Sequence, residues 1–137
     1  MTKEELLQFV AAQKTAIIAS VDADGYPVMR AMLAPRKIDG NEIYFSTNTS
    51  SDKVRQYLAD EKACVYCYKR GRFRYQGATI LGDMQVCTDQ PTKDAIWRFG
   101  DTMFYKQGVT DPDYCVLRFT CKRAKYYCDL HIETIEF

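Results

Sequence analysis

Two stretches of this chain hold residues whose types and spacing could do chemistry: Asp24-Gly25-Tyr26-Pro27-Val28-Met29-Arg30-Ala31-Met32 and Ser46-Thr47-Asn48-Thr49-Ser50-Ser51-Asp52-Lys53. The first is a tight turn feeding an apolar strand that carries one arginine, Arg30, among Val28, Met29, Ala31, Met32 and Leu33. The second is a hydroxyl-rich loop leading into a helix with Lys53 in its first turn. A cation among apolar strand residues is costly unless an anion meets it. A lysine at a helix N-terminus also opposes the helix dipole. Both features are accounted for by a phosphate held by Arg30, Lys53, the hydroxyls and the N–H groups of the helix start. On the residues alone, Arg30 reads equally well as an arginine snorkelling to solvent from a strand edge. Ser50 and Ser51 read equally well as helix N-caps.

The elements that must position these residues follow from the pattern. Residues 3–13 form an amphipathic helix with Leu6, Leu7, Val10 and Ala11 on one face and Thr2 as N-cap. Thr15 to Asp22 is apolar and β-branched, a strand, and Asp22-Ala23-Asp24-Gly25 turns it into the Arg30 strand. Asp39-Gly40-Asn41 signals a second hairpin before the strand Glu42–Ser46. A helix over about Ser51–Asp60 is followed by a strand from Lys62 to Lys69 and a turn at Arg70-Gly71-Arg72. Phe73 to Thr88 reads as a long strand with bulges at Gly77 and Gly82. Pro91 opens a helix through about Phe99 that contains Trp97, Tyr114 to Tyr127 is strongly β-prone, and residues 132–137 add a last strand. Successive hairpins with inserted helices make one α+β domain over 1–137, mainly β, an antiparallel barrel with helices at its ends.

Composition bounds the function. The chain has 137 residues, 47% of them apolar and 27% charged, enough for one globular core. Lys+Arg (19) and Asp+Glu (18) nearly cancel, so there is no footprint for nucleic acid or an anionic membrane. The start, Met1-Thr2-Lys3-Glu4-Glu5, lacks the form of a signal peptide, and no run is long and apolar enough for a span, so the expected location is the cytoplasm. Cys64-Val65-Tyr66-Cys67 has the spacing of half a zinc site, but strand alternation points the two thiols to opposite faces. No second close pair completes a tetrad, and His131 is the only histidine, so no metal is assigned and the cysteines read as small buried hydrophobes. Arg70, Arg72 and Arg74 fall near one face by alternation, a solvated turn or an anion-receiving edge.

In order and spacing these fragments resemble the pyridoxamine 5′-phosphate oxidase-like, FMN-binding split-barrel family, especially its short members known as general stress proteins. The resemblance is carried by Asp22-Ala23-Asp24-Gly25-Tyr26-Pro27 and the arginine strand, Tyr44-Phe45-Ser46-Thr47, Ser51-Asp52-Lys53-Val54, Gln76-Gly77, Trp97 and Asp111-Pro112-Asp113-Tyr114-Cys115-Val116-Leu117-Arg118. It implies a split β-barrel and a homodimer with FMN in each cleft between subunits. Arg30 and Lys53 would clamp the FMN phosphate with Ser46, Thr47 and Ser51 as hydroxyl donors. The backbone of Arg30, Ala31 and Met32 would run beside the isoalloxazine ring, and Gln76 and Trp97 would approach it, Trp97 from the other subunit. A core tryptophan is the plainer reading of Trp97.

One departure matters. The full-length oxidases hold their substrate phosphate with basic residues near the C-terminus, where this chain has Asp129-Leu130-His131-Ile132-Glu133-Thr134-Ile135-Glu136-Phe137. The resemblance therefore implies the cofactor more than a vitamin B6 phosphate as substrate, and the small-molecule substrate stays open. No Ser-His-Asp set, paired carboxylates or cysteine–histidine pair is legible, so no catalytic side chain is named and the reactive group would be the flavin. The alternatives are a non-enzymatic flavin-binding stress protein, or haem or deazaflavin in the same cleft, with His131 as the haem ligand.

Overall fold

The computed structural model describes residues 1–137. Thr2 and Glu5 form a capping box that starts α1 (Lys3–Ala11): the Thr2 hydroxyl accepts from the Glu5 N–H at 3.1 Å, and the Glu5 carboxylate accepts from the Thr2 N–H at 2.7 Å. This helix buries Leu6 and Val10. The chain continues through β1 (Thr15–Val21), β2 (Pro27–Leu33), β3 (Lys37–Asp39), β4 (Glu42–Asn48), α2 (Asp52–Ala59), β5 (Lys62–Arg70) and β6 (Tyr75–Cys87). After α3 (Gln90–Ile96) come short 3-10 turns at Phe99–Met103 and Gly108–Thr110, then β7 (Tyr114–Cys128) and β8 (His131–Glu136).

The turn that aims β2 is built by Asp22, whose carboxylate accepts the N–H groups of Asp24 and Tyr26, both at 2.9 Å, while Gly25 takes φ +85°. All pairings are antiparallel, and the eight strands run β2-β1-β5-β6-β7-β4-β3 with β8 also on β7. On the edge away from β6, β7 pairs first with β4 (Tyr114–Thr120) and then with β8 (Arg123–Cys128). Strand alternation turns Ile18, Phe45, Val65, Ile80, Leu117 and Phe119 inward, where α1 and α2 add Leu6, Val10, Val54 and Tyr57. A smaller cluster of Cys87, Ile96, Tyr114 and Val116 lies under α3.

Three expectations about local structure need correction. Gly82 sits at the predicted bulge, where the register shifts between Leu81 and Gly82 and a Cβ would meet the Thr120 carbonyl at 2.1 Å. Gly77 is no bulge: it keeps register with Tyr68 and Tyr127, and its missing side chain makes room for the Tyr66 hydroxyl, 2.8 Å from where a Cβ would be. Helix α3 stops at Ile96, because Trp97 (ψ 138°) leaves the helix and the Asp101 carboxylate takes the Arg98 N–H at 2.9 Å. Nor do the three arginines act as one face. Arg70 ends β5, Arg72 lies over the Phe73 ring at 5.2 Å, and Arg74 pairs with Asp129 at 3.2 Å.

Cys64 and Cys67 do lie on opposite faces of β5, the first half-buried and the second buried, and all six cysteines are free thiols. No helix is long and apolar enough to cross a membrane.

Candidate functional site

Arg30 sits on the inward face of β2 opposite Ile18, half-buried, and reaches across β1 to α2. Its guanidinium donates to the Ser20 hydroxyl at 2.7 Å and to the Gln56 side-chain oxygen at 3.2 Å. Ser20 in turn donates to the same Gln56 oxygen, so one neutral amide collects both donors. The adjacent Tyr57 hydroxyl donates to the Ala19 carbonyl at 2.9 Å and, being buried, has its pKa pushed up to about 12. Lys53 lies one turn back along α2, close enough to Arg30 for the two cations to repel. Burial first, and then the Arg30 charge, hold its ammonium below the ordinary lysine value.

Neither cation has a carboxylate partner: none of the six ion pairs of the molecule includes Arg30 or Lys53. Two half-buried like charges thus lie together beside α2, Arg30 bonded only to neutral groups, an arrangement whose repulsion an anion would relieve. The helix start stays available on its own account. Ser51 does not cap α2 with its side chain; its hydroxyl instead donates to the Asn48 carbonyl at 2.8 Å. Beneath Lys53 lies Cys115, in register with Thr47. Burial pushes the Cys115 thiol up, with the Thr49 hydroxyl and the Lys53 ammonium opposing.

The remaining sequence-predicted residues fall in different places. Ala31 points out of the sheet with Met29 and Leu33, whereas Met32 turns inward against the core. Because β2 is an edge strand paired only to β1, its outer row of backbone N–H and C=O groups has no sheet partner. Thr47 is buried on the inner face, while Ser46 faces the other way and shares a 3.2 Å hydrogen bond with the Tyr114 hydroxyl. Trp97 belongs to that second group, its ring 4.9 Å from Tyr114 and 6.1 Å from Tyr105. Gln76 belongs to neither, since it donates to the Tyr126 hydroxyl beneath α1. His131 is exposed at the head of β8.

Sequence reasoning missed Ser20 and Gln56, which orient Arg30. The signal for Ser20 was its place in the inward row Ala16, Ile18, Ser20 of β1, and that for Gln56 was its position three residues beyond Lys53 on α2. Also missed was a buried bidentate pair. Arg36, just past β2, donates to the Asp101 carboxylate at 2.8 and 2.7 Å and fixes the turn that follows α3. Lys93 on α3 is 5% exposed, donates to the Asp111 carbonyl at 2.9 Å and lies 5.7 Å from the centre of the Tyr114 ring.

Residues 2–128 match the family model described as pyridoxamine 5′-phosphate oxidase. The chain belongs to the pyridoxamine 5′-phosphate oxidase family. A Clostridium acetobutylicum member, related to general stress protein 26 of B. subtilis, is 30% identical, with a TM-score of 0.84 over 98% of this chain and 93% of that one. A pyridoxamine 5′-phosphate oxidase-related, FMN-binding protein from Nostoc punctiforme is 17% identical, with a TM-score of 0.73 over 90% of this chain and 80% of that one. A heme-binding protein from Mycobacterium smegmatis is 12% identical, with a TM-score of 0.77 over 97% of this chain and 57% of that one. No curated protein sequence matches. The expected fold therefore holds: the antiparallel sheet with its helices is the split barrel of the pyridoxamine 5′-phosphate oxidase family.

Proposed function

We propose that this chain is an FMN-binding flavoprotein that acts as an oxidoreductase on a small molecule. The observation that carries the reading is the Arg30–Lys53 pair: two adjacent cations without a carboxylate, one of them depressed by burial and by its neighbour. A phosphate dianion removes that repulsion and adds charge-assisted hydrogen bonds. Ser20 and Gln56 hold the Arg30 guanidinium in place, and Thr47 and Ser51 offer further hydroxyls near the start of α2. The outer edge of β2, from Arg30 to Met32, offers unpaired backbone groups to the polar rim of a flat ring. Bound FMN would supply two-electron and one-electron redox chemistry, and the chain supplies binding, orientation and exclusion of water.

The second subunit belongs to the same proposal. Met29 and Leu33 on the outer face of β2 are 71% and 72% exposed, and Tyr68 and Tyr75 add aromatic surface to the same uncovered side of the sheet. A homodimer closing on this face would bury them and complete the cleft. Trp97, packed on Tyr114 and Tyr105, would meet the flavin of the other subunit across that interface.

Arg30→Ala and Lys53→Ala should each weaken FMN binding by about 1.5–3 kcal/mol, roughly 10- to 150-fold. The measurement is quenching of free flavin fluorescence on titration with the refolded apoprotein. Unchanged affinity in both variants sinks the clamp. A monomer by light scattering that still holds FMN tightly sinks the shared cleft.

A further inference from the structure

Arg30 and Arg36, both half-buried, are satisfied in opposite ways. Arg36 meets the Asp101 carboxylate with both terminal nitrogens at 2.8 and 2.7 Å, a charge-neutral latch on the turn after α3. Arg30 meets no carboxylate. One of its terminal nitrogens donates to the Ser20 hydroxyl at 2.7 Å and the other to the Gln56 amide oxygen at 3.2 Å. Ser20 gives its own proton to that same oxygen, so the three side chains close a ring. The direction of the ring is fixed. A guanidinium has only donors, so Ser20 must accept from it and Gln56 must turn its oxygen inward, not its NH2 group. Ser20 is 1% exposed, which leaves its hydroxyl no water as an alternative partner. The Tyr57 hydroxyl also faces Arg30, but it donates to the Ala19 carbonyl at 2.9 Å. The ring takes one N–H from each terminal nitrogen of Arg30 and leaves further N–H groups for a ligand.

A glutamate at position 56 would have the same reach and would hold Arg30 more tightly, through charge-assisted bonds. It would also cancel the charge. The acids that flank or belong to α2 are engaged elsewhere: Asp52 pairs with Arg55, and Asp60 accepts from the Lys62 N–H at 3.0 Å. Lys53, three residues before Gln56, has no carboxylate either, and burial and then the Arg30 charge hold its ammonium below its ordinary value. A neutral acceptor at position 56 therefore leaves two cations uncompensated. That suits a phosphate monoester, which carries nearly two negative charges at neutral pH.

We propose that Gln56 is a positioning residue that sets the charge of this site: its amide oxygen aims Arg30, and its neutrality keeps the Arg30 and Lys53 charges for a phosphate monoester dianion. The identity of that ligand as FMN rests on the flavin reading above. The role of Gln56 rests on the closed ring and on the missing carboxylate.

Two substitutions in the full chain separate aim from charge. In Gln56→Glu the new carboxylate pairs with Arg30, so the ligand-free protein should unfold at a higher urea concentration than wild type. Its FMN affinity, read by flavin fluorescence quenching, should nevertheless fall about tenfold or more. A side chain with a merely structural role does not move stability and affinity in opposite directions. In Arg30→Met/Gln56→Glu the gain in stability should vanish, which assigns it to Arg30. Gln56→Met keeps length and neutrality but drops the acceptor, so its unfolding midpoint should fall and its FMN affinity should fall less than that of Gln56→Glu. Inorganic phosphate, compared with chloride at equal ionic strength, probes the site without a flavin. It should raise the wild-type midpoint and raise that of Gln56→Glu much less. An FMN affinity of Gln56→Glu within about twofold of wild type overturns the role of Gln56 and leaves the flavin reading standing. A Gln56→Glu midpoint at or below that of wild type overturns it as well, because the lost affinity then follows damage to the fold. A wild type that takes up no FMN but answers to phosphate in a Gln56-dependent way strikes the flavin reading alone. A wild type that answers to neither overturns both.

Discussion

Asp101→Asn should destabilise the protein by about 3 kcal/mol, near the lower end of what breaking a buried ion pair costs. The side chains of Arg36 and Asp101 are 13% and 6% exposed, so the guanidinium left behind has little access to water. The lower end applies because an asparagine oxygen can still accept from Arg36 or from the Arg98 N–H. Urea unfolding read by circular dichroism should show a lower midpoint at unchanged slope. The informative comparison is the double variant Arg36→Met/Asp101→Leu. It removes both charges at similar volume and leaves only the Arg98 N–H and the Ile96 carbonyl short of a partner. It should therefore lie within about 1 kcal/mol of wild type, well below the sum of its own two singles, Arg36→Met and Asp101→Leu, each of which leaves one partner buried and unpaired. The Arg36 hydrogen bonds hold the Asp101 carboxyl below its ordinary value. A folded-state pKa below the unfolded one contributes stability above about pH 4, which is lost as pH falls through the folded value. Asp101→Asn should remove that acid-side loss. A single variant within 0.5 kcal/mol of wild type, or a double variant equal to the sum of the singles, would falsify the latch.

Two further substitutions test the backbone. Leu130 holds φ +71° beside Asp129 at φ +50° in the turn between β7 and β8, yet its side chain is 87% exposed and packs on little. Leu130→Gly relieves the left-handed strain at some entropic cost and should raise stability by about 0.5–1 kcal/mol in the same urea assay. A loss instead means Leu130 makes a contact that the turn geometry does not reveal. Gly82→Ala pushes a methyl group toward the Thr120 carbonyl, 2.1 Å from an ideal Cβ, and should cost at least about 2 kcal/mol unless the bulge is looser than its register indicates. Loss of FMN affinity in the Arg30 and Lys53 variants, without loss of thermal stability, separates clamp from scaffold.

The strands and α2 were legible because their signals are local: alternation, β-branching and turn residues at Asp22–Gly25 and Asp39–Asn41. The Arg30–Lys53 oddity was legible for the same reason, as charge out of place within its own segment. What holds Arg30 was not, because Ser20 and Gln56 lie 36 residues apart and meet only once α2 packs across β1. Ser46 and Thr47 share hydroxyl chemistry, but the alternation already in the sequence turns adjacent strand residues to opposite faces. The early end of α3 was hidden for a different reason, since the pair that pins the turn beyond it spans 65 residues. The tight turn at Asp129-Leu130 carries neither glycine nor asparagine, so nothing local announced it; pairing of β7 with β8 imposes it.

The double pairing along β7 has a consequence for how the chain comes into being. In the strand order, β4 and β3 join the rest of the sheet only through β7, and β8 has no other neighbour. Until Tyr114–Cys128 has been synthesised, a nascent chain has two unconnected pieces: the four-strand set β2-β1-β5-β6 and the small hairpin β3-β4. Each exposes an unpaired edge to the other and to neighbouring chains. Closure therefore waits for nearly the whole polypeptide and relies on contacts distant in sequence, the regime of slow, all-at-once β folding. Truncation anywhere before the end of β7 should leave a chain that collapses without acquiring a native sheet, rather than a smaller version of the fold.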